Sequence, residues 1–186
     1  MKLLALWLLL TPLTGNVSKY LTWKEATHTT KSIPNVPSPA QQEKIRRFGY
    51  ECFDKIREKA KSPLYVSSLY RNPQINRMVG GAKNSDHQIL GDVVACDIDQ
   101  DGRGKIGNRA LFFIIKDNFS YKKLIWEFDD SIEAVGPSGK PIKSRKPKWI
   151  HISWSIDPTE NNLKRVYRAV KVGNRTVYQN FSTTGL

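Results

Sequence analysis

The fold class that this sequence predicts is α+β, and three features predict it. A long amphipathic helical pattern opens the ordered part of the chain. A short, almost wholly apolar helical pattern sits in the middle, and strand patterns gather in the second half without alternating with helices. Regular alternation, the mark of a doubly wound parallel sheet, is missing, so helices packed on an antiparallel sheet are expected. At 186 residues the chain is long enough for one domain with its own core and short for two.

Met1 and Lys2 precede an apolar run over residues 3–10, which has the charge and length of an export signal and is too short to span a bilayer. Residues 11–15 hold small residues and a proline but no Ala-x-Ala pattern, so a cleaved signal and an apolar segment packed on the domain both stay open for residues 1–15. Residues 16–37 are polar and without a sustained period, which predicts an extended lead-in anchored by Tyr20 and Trp23. The folded domain is expected over 38–178 and a tail over 179–186.

Ser38, Pro39 and Gln41 supply a capping serine, a first-turn proline and the glutamine of a capping box. Ile45, Phe48, Cys52, Ile56 and Ala60 follow at helical spacing against a basic opposite face. Ser62-Pro63 stops that helix, and residues 64–70 read as a strand from their aromatic and β-branched content. Asn72-Pro73 opens a short helix that ends at Gly80-Gly81. Residues 95–98 predict a short strand, and 108–117 a helix whose run Leu111-Phe112-Phe113-Ile114-Ile115 is apolar nearly all round and should be deeply buried. Strands follow over 123–128 and 149–154, joined by a polar loop holding Gly136-Pro137-Ser138-Gly139. Residues 165–177, with a Gly173-Asn174 turn between β-rich arms, predict a terminal hairpin.

Thirty Lys and Arg against seventeen Asp and Glu give a net charge of +13, which favours a polyanionic partner without choosing among nucleic acid, anionic lipid and bacterial cell wall. A local concentration at Lys140, Lys143, Arg145, Lys146 and Lys148 reads equally as a solvated loop or a binding patch. No nucleic-acid reader motif accompanies it, and no aromatic platform is interleaved with it, so a specific nucleic-acid partner is not expected. Two cysteines are too few for a disulfide framework; Cys52 and Cys96 sit in apolar patterns and are expected as free core thiols, with a bridge possible if the chain is exported.

Chemistry concentrates in two segments. Ser85-Asp86-His87 runs toward Ala95-Cys96-Asp97-Ile98, and Trp149-Ile150-His151-Ile152-Ser153-Trp154 alternates so that Trp149, His151 and Ser153 share one strand face. An imidazole on such a face costs free energy unless it has a partner, and a metal is one such partner. Two imidazoles and a carboxylate are the donors that a catalytic zinc takes when its fourth position is left to water. Asp97-x-Asp99-x-Asp101-Gly102 imitates the start of a calcium loop, but its twelfth position is Asn108 and no entering helix precedes it, so Asp99 and Asp101 are expected to shape a turn.

Taken in order, Ser68-x-Tyr70-Arg71, Val79-Gly80-Gly81-Ala82-Lys83-Asn84-Ser85-x-His87, Gly91, Ala95-x-Asp97-Ile98, Ile125-Trp126-Glu127 and Trp149-Ile150-His151-Ile152-Ser153 resemble the zinc D-Ala-D-Ala carboxypeptidases of peptidase family M15, most closely the short phage-encoded members. The resemblance covers roughly residues 16–172. It implies a Hedgehog/DD-peptidase-like fold, one Zn2+, and cleavage of peptide bonds in peptidoglycan stem peptides by a monomer that is exported or released to the wall at lysis. By matching position it implies His87, Asp97 and His151 as metal ligands, and Arg71 and Ser85 as substrate-binding residues. An arginine suits a substrate carboxylate because its planar fork grips both oxygens.

Two departures accompany the resemblance. Three extra residues separate His87 from Asp97, which makes Asp92 and Asp99 rival ligands, and Lys148 stands where many members carry a carboxylate three residues before the second histidine. Glu127 is the expected replacement as general base; the competing reading makes it a structural carboxylate paired with a lysine of the basic loop. Hedgehog-like relatives of the fold also leave open a non-catalytic, metal-stabilised module that binds cell wall or another polyanion.

Overall fold

The computed structural model describes residues 13–135 and 141–182, with side chains described outside 130–135 and 141–144. The apolar run 3–10 and the Gly136–Gly139 segment, on which an export signal and a loop are expected, lie outside the described residues. The elements run α1 (Trp23–Ala26), α2 (Pro39–Phe48), a π-helical turn (Gly49–Phe53), α3 (Asp54–Ala60), β1 (Val66–Ser68), α4 (Pro73–Met78), a 3-10 turn (Asp86–Gln88), β2 (Val93–Ile98) and α5 (Asn108–Asn118). They continue with β3 (Lys123–Val135), β4 (Pro141–Ser155), α6 (Pro158–Asn161), β5 (Arg165–Val172) and β6 (Arg175–Asn180). The class is α+β. Six strands form one sheet in the order β1-β2-β4-β3-β5-β6.

That sheet is not purely antiparallel, as the sequence suggests. β5 runs parallel to β3, because the chain leaves β4, turns through α6 and crosses to the far edge of β3 before forming the β5–β6 hairpin. The hairpin itself forms where Gly173 adopts φ 58°, a left-handed conformation that glycine takes without steric cost.

The helix opening at Ser38 forms with its full capping box, Ser38 accepting from the Gln41 amide while the Gln41 side chain accepts from the Ser38 amide. Its apolar stripe (Ile45, Phe48, Cys52, Ile56) is buried against the sheet. Phe48 meets Trp154 at 6.4 Å, and Phe112 of α5 meets Trp126 at 5.2 Å, so both helices cover one face of the sheet. Val94, Cys96, Ile98, Leu124, Trp126, Ile150 and Ile152 fill that face with no solvent exposure. Within the apolar run of α5, Leu111, Phe112 and Ile115 are buried, while Phe113 and Ile114 are half-buried.

Three elements differ from the sequence expectation. The lead-in holds α1, whose capping box joins Thr22 and Glu25, and Val17, Leu21, Trp23 and Ala26 belong to the main core. Buried Asp54 holds the lead-in by accepting from Ser18 Oγ (2.8 Å) and from the amides of Lys19 and Tyr20. The strand expected over 64–70 shortens to β1. The strands expected over 123–128 and 149–154 lengthen into a long ribbon pairing Val135 with Pro141, so Lys143, Arg145, Lys146 and Lys148 stand on β4 rather than in a loop.

Candidate metal centre

The register of the central strands assembles the site. Asp97 on β2 pairs with His151 on β4, His151 pairs with Ile125 on β3, and Trp149 pairs with Glu127. Alternation therefore turns Asp97, His151, Ser153, Lys123 and Glu127 to the face opposite the helices. His87 reaches that face from the 3-10 turn, its ring 5.1 Å from that of His151. One donor atom from each of His87, Asp97 and His151 lies within 4.8 Å of the others.

The hydrogen bonds fix which atoms face inward. His87 Nδ1 lies 2.7 Å from the Leu69 carbonyl, which only accepts, so Nδ1 carries the proton. Burial lowers the His87 pKa, against the pull of Asp97, and the ring is neutral at pH 7. Its buried Nε2 then presents a lone pair 3.2 Å from Asp97 Oδ2 and has no hydrogen-bond partner among the described residues. Asp97 Oδ1 lies 2.8 Å from His151 Nδ1. Burial opposes ionisation of Asp97, but attraction to the positively charged forms of the two neighbouring imidazoles outweighs it and holds the carboxyl well below the usual range, so Asp97 is a carboxylate at pH 7. Lone pairs and carboxylate oxygens turned on one another at this distance repel unless a cation or a proton lies between them. Two imidazole nitrogens and one carboxylate oxygen, each ring braced on its other nitrogen, fit zinc.

The other expected residues lie in the same cleft, a cavity of about 880 Å³. Arg71 leans over the cluster with Nη2 3.5 Å from Asp97 Oδ2, its backbone amide tied to the His87 carbonyl and its buried Nε without a hydrogen-bond partner among the described residues. Ser85 precedes the 3-10 turn and lines the cleft wall beside Gly80 and Gly81. Glu127 is 6% exposed. Burial, opposed by His151 and reinforced by Asp97, raises its carboxyl to about 7. Among the described residues no basic side chain forms an ion pair with it.

Neither rival ligand joins the cluster. Asp92 is exposed and pairs with Lys44 at 3.1 Å. Between His87 and Asp97 the chain turns left-handed at Ile89, with φ 52°. Asp99 and Asp101 shape the turn before α5: Asp99 accepts from Asn108 Nδ2 and from the Asp101 amide, and Asp101 pairs with Lys146. Lys148 lies outside the cleft; its carbonyl accepts from Asn108 Nδ2 at 2.7 Å.

A family model described as peptidase M15 matches residues 19–111, half of the chain. The chain belongs to the peptidase M15 family. The M15 match contains Arg71, Ser85, His87 and Asp97 and ends before Glu127 and His151. Searches of curated proteins and of solved structures give no match.

Sequence reasoning missed two parts of this site. Phe128 has φ 56°, which breaks the strand alternation: Phe128 joins Glu127 in lining the cleft, and Asp129 turns back to accept from Trp126 Nε1. Phe128 packs on Trp149 at 5.3 Å, with Lys171 over its ring. No residue pattern signals that inversion. The second part is a set of side chains behind His151: Ser153, Asp86 and Lys123. Their signal was present, since Ser153 shares the strand face of His151 and Asp86 adjoins His87.

Proposed function

We propose that this chain is a zinc-dependent peptidase that hydrolyses peptide bonds in bacterial peptidoglycan, of the D-Ala-D-Ala carboxypeptidase or endolysin type. The observation that carries the reading is the convergence of His87 Nε2, His151 Nδ1 and the Asp97 carboxylate on one point at the floor of an open cleft. Zinc held there supplies Lewis-acid polarisation of the scissile carbonyl and of the attacking water.

The chain's own residues divide the remaining work. Glu127 stands beside the ligand strand; its carboxyl is raised to about 7 without metal and a cation in the cluster favours its ionised form, so near neutral pH it takes a proton from the attacking water and returns it to the leaving amine. Arg71, rigidly tied through its backbone and carrying an unpartnered Nε, binds the carboxylate of the substrate. Ser85, which also lines the cleft, offers a hydroxyl to the substrate backbone. Among the described residues no helix is long and apolar enough to cross a membrane. The net charge of +13 draws the enzyme to anionic wall polymers.

Digestion of purified peptidoglycan tests the proposal: new amino groups or free D-Ala appear, a chelator stops their release and zinc restores it. Normal hydrolysis by His151→Ala contradicts it. A wall-binding module without catalysis sediments with peptidoglycan and releases nothing.

A further inference from the structure

His151 has two ring nitrogens, and only one arrangement of protons leaves Nδ1 free for a metal. Nε2 lies 2.9 Å from Ser153 Oγ, and Ser153 Oγ lies 2.8 Å from Asp86 Oδ2. That same Asp86 oxygen pairs with Lys123 Nζ. Ser153 is fully buried and owns one hydroxyl proton. Asp86 only accepts, so the proton points to Asp86, and the serine oxygen is left to accept from His151 Nε2–H.

We infer that Asp86 and Ser153 form a hydroxyl-bridged relay that fixes the tautomer of His151 and aims its Nδ1 lone pair at the point shared with His87 and Asp97. Both are positioning residues: they act on the cluster through the ring of His151. The relay works against a real competitor. Asp97 Oδ1, 2.8 Å from Nδ1, welcomes the opposite tautomer, in which Nδ1 donates and no lone pair remains for a cation. Lys123, the cross-strand partner of Ser153, holds the Asp86 carboxylate in place. One tripeptide, Ser85-Asp86-His87, thereby orients both imidazoles: His87 directly, with Nδ1 on the Leu69 carbonyl, and His151 from behind through Ser153.

The consequence for metal affinity rests on the zinc reading, but the tautomer does not, and the test separates them. Long-range proton–nitrogen correlation spectra of the metal-free full chain at about pH 8, above the ordinary imidazole value, report each tautomer. The wild type shows Nδ1–H for His87 and Nε2–H for His151. In Ser153→Ala the His151 signal moves to Nδ1–H while His87 is unchanged, and zinc affinity measured by chelator competition falls about 10–100-fold. Asp86→Asn, at a partly exposed position, reads the same relay if the buried serine variant fails to fold: its Nε2–H population falls and zinc binds about tenfold more weakly. A wild-type His151 already in the Nδ1–H form, or Nε2–H populations unchanged in the folded variants, overturns the inference. A tautomer shift as expected in a protein that binds no zinc upholds the relay and removes the zinc reading.

Discussion

Replacing Glu127 by glutamine separates stability from catalysis in a way that the geometry sets quantitatively. The Glu127 carboxyl moves from an ordinary 4.5 to about 7, chiefly because it is buried, so ionising it costs the fold on the order of 3 kcal/mol more than it costs the unfolded chain. The folded state holds this proton more tightly; the cost is therefore nil below about pH 4.5, grows as pH rises, and is complete above about pH 7. Glutamine keeps the shape and never ionises. Urea unfolding of metal-free wild type and Glu127→Gln should give matching stabilities near pH 4.5 and an advantage to the variant of roughly 3 kcal/mol near pH 8. A cation in the cluster favours the ionised carboxyl, so the gap narrows when zinc is bound. The same variant should lose about 10²–10⁴-fold in turnover on peptidoglycan fragments while still binding zinc. A stability gap that does not widen with pH, or full turnover in the variant, refutes the assignment of Glu127 as a buried base.

Other outcomes follow from single contacts. Arg71→Ala should cost about 10–100-fold in kcat/KM on peptides with a free carboxylate and little on their amidated forms, since only the former use a charge-assisted pair; equal losses on both would remove the carboxylate role. Trp126→Ala, emptying a fully buried site against Phe112 and Phe181, should destabilise the fold by about 3–5 kcal/mol in denaturant titrations; a loss below about 1 kcal/mol would contradict the packing described for that face. Cys52 and Cys96 are buried and free, and burial raises both thiols, so they should resist thiol reagents in the native state and react on unfolding; rapid native labelling would contradict their placement.

Where local rules and burial agree, the fold was legible. The α2 helix announced itself through the Ser38–Gln41 box and a stripe that the sheet then buries, and the β5–β6 hairpin through Gly173-Asn174. The ribbon of β3 and β4 beyond Asp129 was not legible, because a segment such as Ser144-Arg145-Lys146-Pro147-Lys148 carries no apolar alternation; cross-strand backbone pairing defines those strands. The α1 helix is a single turn, too short to show a period, although its Thr22–Glu25 box was readable. In the site, alternation on β4 was enough to place His151 and Ser153 on one face. The approach of His87 to that face depends on tertiary structure, since it hangs on the Leu69 carbonyl; the residues offered it as a candidate ligand, and the resemblance to M15 peptidases strengthened that expectation. The inversion at Phe128 is a backbone choice by a bulky residue that propensity argues against.

X-ray absorption on the zinc-loaded protein tests the central claim most directly. One zinc per chain is expected, with nitrogen and oxygen neighbours at about 2.0–2.2 Å and no sulfur, and the signal should vanish in His151→Ala. A sulfur shell near 2.3 Å, or an unchanged spectrum in that variant, would show that the ion sits elsewhere than between His87, Asp97 and His151.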